Sequence, residues 1–348
     1  MTLEILWFCL LAFFWTGYFV LEGFDFGVGM LLPVLGRNER ERTTMLESIG
    51  PLWDGNEVWL VIAAGATFAA FPVWYATMFS GFYLVLLAIL ALLIVRVLSF
   101  EWRGKSQSAP WQGVWAWLNT IASFGAPFLW GIALASLLHG VPIASDQTFA
   151  GDLGDLFSLY SILAGIALCL LFALHGAVFL ALRTLGDLRE RATRAASRIA
   201  PAAAVVAAGF LVWTLVVAND ANAKDFLPGA LPAAIAAVAA VAAVFLIRAR
   251  NEVWAFVATA TAIGGAVATL FISLYPRVLV SDPEFGNSLT IENASSAHYS
   301  LVVMTVVGAV LLPVVLLYEA WTYHVFRARL GGEEPRTPID LVARKTGG

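Results

Sequence analysis

The chain has 348 residues, 60% of them hydrophobic and only 13% charged, with a formal net charge of −4 and a mean hydropathy of +0.83. A soluble domain is near half apolar and a quarter charged, so this composition excludes a soluble globular protein and indicates an all-α, polytopic membrane protein. Cys9 and Cys169 both fall in apolar segments, which leaves neither a disulfide nor a metal site to argue from them, and nothing in the chain calls for a nucleic-acid partner.

In chain order, apolar windows of roughly 17–28 residues are predicted as membrane spans near residues 5–32, 56–72, 77–99, 113–138, 157–182, 200–218, 229–247, 254–275 and 299–326, about nine helices. The first is too long for the hydrophobic region of a leader and lacks a basic flank, so it reads as a true span. Residues 37–48 are charged with scattered apolar positions and are predicted as a short helix on the membrane surface. Connections on the other side are short or acidic, as at Ser145-Asp146 and Ser281-Asp282-Pro283-Glu284. Residues 1–330 are thus read as one integral membrane domain and 331–348 as a polar tail. All 20 Lys and Arg except Lys224 and Arg277 fall at the ends that follow spans one, three, five, seven and nine. The positive-inside rule then puts the N-terminus outside and the C-terminus in the cytoplasm. Asn56-Glu57-Val58-Trp59 recurs as Asn251-Glu252-Val253-Trp254 without similarity around it, which reads as coincidence rather than an internal repeat.

The residues that could carry chemistry begin in the first span. Glu22 and Asp25 lie three apart on one helical face, with Asp25 roughly 10 Å from the inner end. Ionisable groups at that depth are costly unless they face protein or water. Two readings stand: acids hydrogen-bonded to a neighbouring helix, or members of a proton or cation path. Gly23, Gly27 and Gly29 beside them favour close helix packing. Asp54 and Glu57 have the spacing of a capping box, with Asp54 as N-cap of the second span, and Asp54 at that mouth also suits a proton collector. Arg96, near the inner end of the third span, either snorkels to headgroups or pairs with a carboxylate or a cofactor. Glu319 is a further intramembrane acid, close to Tyr318, Tyr323 and His324. Of the histidines, His139 and His298 fall at outer helix ends, and only His175 lies deep enough to be weighed as a haem ligand. A buried, hydrogen-bonded histidine is the simpler reading. No nucleotide loop, Cys-x-x-Cys, zinc-protease motif or nucleophile elbow is present.

Several of these segments resemble a known family. Gly23-Phe24-Asp25-Phe26-Gly27-Val28-Gly29-Met30-Leu31, with Leu35-Gly36-Arg37-Asn38, is similar to the first-helix signature of subunit II of cytochrome bd-type quinol oxidases. Trp53-Asp54-Gly55-Asn56-Glu57-Val58-Trp59-Leu60 and Phe79-Ser80-Gly81-Phe82-Tyr83 are similar to it too, with weaker matches at Arg96, His139-Gly140-Val141-Pro142, Ser288-Leu289-Thr290 and Tyr318-Glu319-Ala320-Trp321. The resemblance implies two four-helix bundles plus one peripheral helix in a bacterial cell membrane. It implies a heterodimer with subunit I, which carries two haems b and one haem d, oxidises quinol and reduces O₂ to water. This chain would bind no haem firmly and would line a cytoplasmic proton path. That path would run through Asp54, Asp25, Glu22 and Glu57, with Arg96 and Trp53 near the haem environment or the subunit interface. A small accessory subunit, membrane lipids and a bound quinone or lipid stay open. His175 and Glu319 stand where relatives have other residues, and the connection near Asn219 to Phe226 is short. Two alternatives remain: a proton- or cation-coupled secondary transporter using Glu22 and Asp25, with a central cavity and helices broken at the midplane, and a scaffold whose acids only cap helices.

Overall fold

The computed structural model describes residues 2–106 and 108–330, so the predicted tail at 331–348 lies outside the described residues. The described chain is helical throughout its apolar length. The helices are α1 (Leu3–Leu35), α2 (Glu39–Ile49), α3 (Trp53–Ala70), α4 (Pro72–Gly81), α5 (Tyr83–Arg103), α6 (Ala109–His139), α7 (Leu159–Arg183), α8 (Gly186–Asn222), α9 (Phe226–Arg248), α10 (Glu252–Leu274) and α11 (His298–Val325). Eight are long and apolar enough to cross a membrane, and the bent pair α3–α4 makes a ninth. Two four-helix groups, α1/α3/α5/α6 and α7/α8/α9/α10, meet where α7 packs on α1 and α6, while α11 packs chiefly on the rim formed by α1 and α3. The only helical residue that α11 buries is Leu301.

Sequence explains most of these boundaries. The predicted surface helix is α2, begun by Asn38, whose side chain accepts from the Glu41 N–H. Close approach joins the two groups at Gly27 and Gly176, where a Cβ on either would strike the other helix's backbone. Small residues permit that crossing where lipid supplies no hydrophobic drive. α8 continues well past the bilayer: 37 residues span about 56 Å at 1.5 Å per residue, and its first turns carry Arg189, Arg191 and Arg194.

Two expectations need correcting. The sequence predicts spans at 56–72 and 77–99, whereas the chain breaks at Phe71 and again at Phe82. The α3 and α4 axes differ by 118°. Pro72 starts α4, lacks an N–H and disfavours helical geometry at Phe71. The carbonyls freed at the end of α3 are taken up by Ser296, whose N–H donates to Ala70 (2.8 Å) and whose hydroxyl donates to Ala69 (2.6 Å). Asp54 is not an N-cap either, and no capping box forms with Glu57. α2 runs into α3 through a tight turn in which the Leu52 N–H donates to Ile49, so the helix starts at Trp53 and Leu52 occupies the cap position without a side-chain bond. The repeated tetrapeptide also separates: Asn251 caps α10, whereas Asn56 lies inside α3.

At the end opposite α2, β1 (Arg277–Leu279) and β2 (Leu289–Thr290) pair antiparallel and close over the helix ends.

Candidate functional site

Tyr18, Glu22 and Asp25 recur at i, i+4 and i+7 on α1, which sets them on one face. Glu22, Asp25, Asn56 and Arg96 are each 0% exposed, so four helix-borne polar groups meet in a site sealed from solvent. Arg96 of α5 pairs with Glu22 through Nη1 and Oε1, and its guanidinium lies over Phe26 (4.5 Å) and Phe100 (5.2 Å). It therefore does not snorkel. A buried charge persists only when partnered, and the aromatic faces add attraction to the cation. Asn56 of α3 donates to Asp25 Oδ2 (2.7 Å) and to the Leu21 carbonyl (3.2 Å), and accepts from the Tyr323 hydroxyl of α11 (2.8 Å). The Asp25 and Glu22 carboxyls share one face of α1 and lie within electrostatic reach of each other. Glu22 Oε2, Asp25 Oδ1, Arg96 Nε and Nη2, and the Tyr18 hydroxyl have no partner among protein groups. Such buried polar atoms are the usual anchors of internal water.

A second polar thread leaves the same centre. Ser99 donates to the Arg96 carbonyl (2.5 Å), and Asn119 of α6 donates to Ser99 (2.6 Å).

Two further acids lie on α3 toward the Arg-rich end, outside the sealed cluster. Asp54 is exposed and Glu57 half-buried. Both line a groove of about 450 Å³ between α3 and α5, walled by Leu90, Leu93, Ile94 and Val97. Glu57 lies within electrostatic reach of Arg96 and Glu22. Trp53 is half-buried against Phe100 (5.3 Å between ring centres) at the edge of a separate groove between α2 and α5. On the other side of α3, Glu319 of α11 rests against Gly55, where a Cβ would stand 3.3 Å from its Oε2.

The surface around this mouth is clamped by ion pairs. Arg191 of α8 bonds the Leu35 carbonyl (3.1 Å) and pairs with Glu41 of α2 (2.6 Å). Arg103 of α5 pairs with Glu39 of α2. Burial alone would raise the Glu41 carboxyl, but the Arg191 hydrogen bond and the Arg37 N–H outweigh it and hold the group below the ordinary carboxylate value.

His175 does not have the setting of an axial ligand. It is fully buried, bonds Thr259 through Nδ1 (2.7 Å), and its ring stacks on Phe256 (4.4 Å) with Phe24 at its edge (5.9 Å). A porphyrin beside Nε2 would need that packing removed. Among the described residues no group of three or more His, Cys, Asp or Glu could hold a metal ion.

The structure brings together Glu22, Asp25 and Arg96, sets Glu57 next to them, and leaves Asp54 at the mouth and Trp53 to one side. Asn56, Tyr18 and Asn119 are members of this site that were not among the sequence-predicted residues. Tyr18 carried a signal, its spacing with the two acids. Tyr323 carried a weaker one, its place one helical turn beyond Glu319.

The family described as "Cytochrome bd terminal oxidase subunit II" matches residues 3–326. "Cytochrome bd ubiquinol oxidase subunit 2" of Bacillus subtilis (strain 168) is 41% identical over 336 residues, covering 97% of this chain and 99% of that protein. "Cytochrome bd-I ubiquinol oxidase subunit 2" of Escherichia coli (strain K12) is 34% identical over 366 residues, covering 95% and 96%. Among solved structures, a chain of the bd oxidase from Geobacillus thermodenitrificans superposes with a TM-score of 0.71 at 22% identity, over 94% of this chain and 99% of that one, a likeness of fold.

Proposed function

The chain belongs to the cytochrome bd terminal oxidase subunit II family and is a subunit of a membrane-bound quinol oxidase; from that premise we propose that it conducts protons from the cytoplasm into the complex for the reduction of O₂. The observation that carries this reading is the sealed cluster of Glu22, Asp25 and Arg96, with Glu57 within electrostatic reach of it and Asp54 beyond Glu57 toward the Arg-rich end. In the same reading the Arg-rich end faces the cytoplasm and the N-terminus lies outside, in accord with the positive-inside rule.

Each residue has a chemical task along this route. Asp54, exposed at the mouth, exchanges protons with bulk water. Glu57 lies between it and the buried cluster. Asp25 and Glu22 pass a proton between adjacent carboxyls, and Arg96 keeps the pair from holding two uncompensated negative charges or two protons. Their unpartnered oxygens, with the Tyr18 hydroxyl, are the places where water can extend the relay. The haems, two b and one d, belong in this reading to subunit I, where they supply electron transfer from quinol and the site of O₂ reduction. The packing around His175 leaves no room for a haem at that residue. Subunit I is the partner proposed for the exposed faces.

Reconstitution tests the direction of transport. In vesicles holding the complete complex with the Arg-rich end facing the lumen, quinol-driven turnover should make the lumen more alkaline, and Asp25→Asn should abolish that change with haem content intact. Undiminished uptake by the haem-loaded variant would remove Asp25 from the route.

A further inference from the structure

Tyr323 sits on the peripheral helix α11, yet it reaches Asn56, a fully buried polar group of the sealed cluster. Its ring packs edge-on against Phe24 of α1 (6.4 Å between centres, 85°), and its hydroxyl bonds Asn56. An amide side chain has one end that donates and one that accepts. The orientation of Asn56 is fixed at both ends: its nitrogen meets the Leu21 carbonyl and Asp25 Oδ2, and its oxygen meets the Tyr323 proton. Reversing the amide would set oxygen against the Leu21 carbonyl, two acceptors face to face, in a site with no solvent to relieve them.

The consequence falls on Asp25. Its Oδ2 accepts an N–H and is not free to carry a proton along that direction. Oδ1, fully buried and without a protein partner, is the oxygen left to exchange one. We infer that Tyr323 and Asn56 are positioning residues that orient Asp25 so that a single oxygen, Oδ1, takes and releases the proton passed to Glu22. This inference rests on the proton route proposed above and adds to it that the peripheral helix, through one hydroxyl, sets how the buried acid is presented. Glu22, Arg96, Glu57 and Glu319 are the other charged groups around this unit, from α1, α5, α3 and α11.

Tyr323→Phe keeps the ring and removes only the donor. The Asn56 oxygen then loses its partner, so the amide is held only at its nitrogen end, by the Leu21 carbonyl and Asp25, and no longer fixes how Asp25 is presented. In the assembled, fully haem-loaded complex, turnover at saturating quinol should fall on the order of fivefold, the rate equivalent of about one hydrogen bond. KM for quinol and the haem spectrum should be unchanged. The infrared carbonyl stretch of the protonated carboxyl, identified by its loss in Asp25→Asn or by its isotope shift with carbon-13 aspartate, should move in Tyr323→Phe. A purely packing role for Tyr323 moves neither the rate nor the band, and wild-type turnover with an unshifted band would overturn the inference. If Asp25→Asn loses turnover while Tyr323→Phe does not, the inference fails and the route stands. If Asp25→Asn itself turns over normally, both fail.

Discussion

Glu22 and Arg96 form a buried pair in which only one member can give up its charge. A carboxylate left alone can take a proton, whereas a guanidinium stays ionised. Glu22→Gln should therefore destabilise the subunit by about 3–5 kcal/mol, the cost of stranding a buried charge. Arg96→Met leaves a carboxyl able to neutralise itself and should cost less. Thermal unfolding of the two purified variant complexes decides this: Glu22→Gln melting above Arg96→Met would mean that the pair does not hold this part of the bundle. The acids and the arginine were legible in the sequence because charges inside apolar runs are rare and costly. Asn56 and Tyr323 were not, because a polar residue near a helix end is ordinarily explained by capping, and a tyrosine near a membrane boundary by the interface. What distinguishes them is a bond between residues 267 positions apart, which no local pattern encodes.

At the scale of elements, the crossing of α1 and α7 depends on the absence of two side chains. Gly27→Ala would drive a methyl into the Phe172 carbonyl, a backbone atom that cannot swing aside. Overpacking of this kind costs about 1–3 kcal/mol or more, and the variant should yield little assembled complex. Gly65→Ala, with nothing within 4 Å of its added methyl, should assemble normally, so comparing the two in membrane extracts separates a packing effect from general helix preference. The α2 clamp gives a prediction in pH. The Glu41 carboxyl is depressed in the fold by Arg191 and the Arg37 N–H, against the opposing effect of burial. Its stabilising contribution is complete above the ordinary value of 4.5 and is lost as pH falls through the lower folded value. Glu41→Gln should therefore melt below wild type at neutral pH, with the difference disappearing at strongly acid pH. A difference independent of pH would show that charge is not what holds α2 to α8. Hydropathy located the eight long apolar helices, and charge density located the short helix α2. The break at Phe71 was missed because the residues on both sides are equally apolar, and only the steric effect of Pro72 marks the boundary. The capping box was misplaced because the α2–α3 turn, a tertiary feature, started the helix one residue before Asp54.

For the molecule as a whole, composition excluded a soluble protein, and the nine-span architecture with one peripheral helix followed from hydropathy together with family resemblance. The transporter alternative gains nothing from the fold: among the described residues the one sharply broken span is bent at Phe71, at the end away from the acids. α11 leaves Tyr318, Trp321 and most of its length exposed, a face that a partner or lipid must cover. Haem location is checked at His175, where His175→Leu should leave every haem band of the complex unchanged, and the loss of one band would give this chain a ligand. The central claim, that a proton route enters through Asp54, is tested most directly by O₂ consumption of a fully haem-loaded Asp54→Asn complex. Asp54 is exposed and makes no capping bond, so the substitution removes a titratable group and at most about 0.3–1 kcal/mol of helix-dipole interaction. Turnover should fall by more than about tenfold with assembly and haem content preserved, and turnover near that of the wild type would contradict the route.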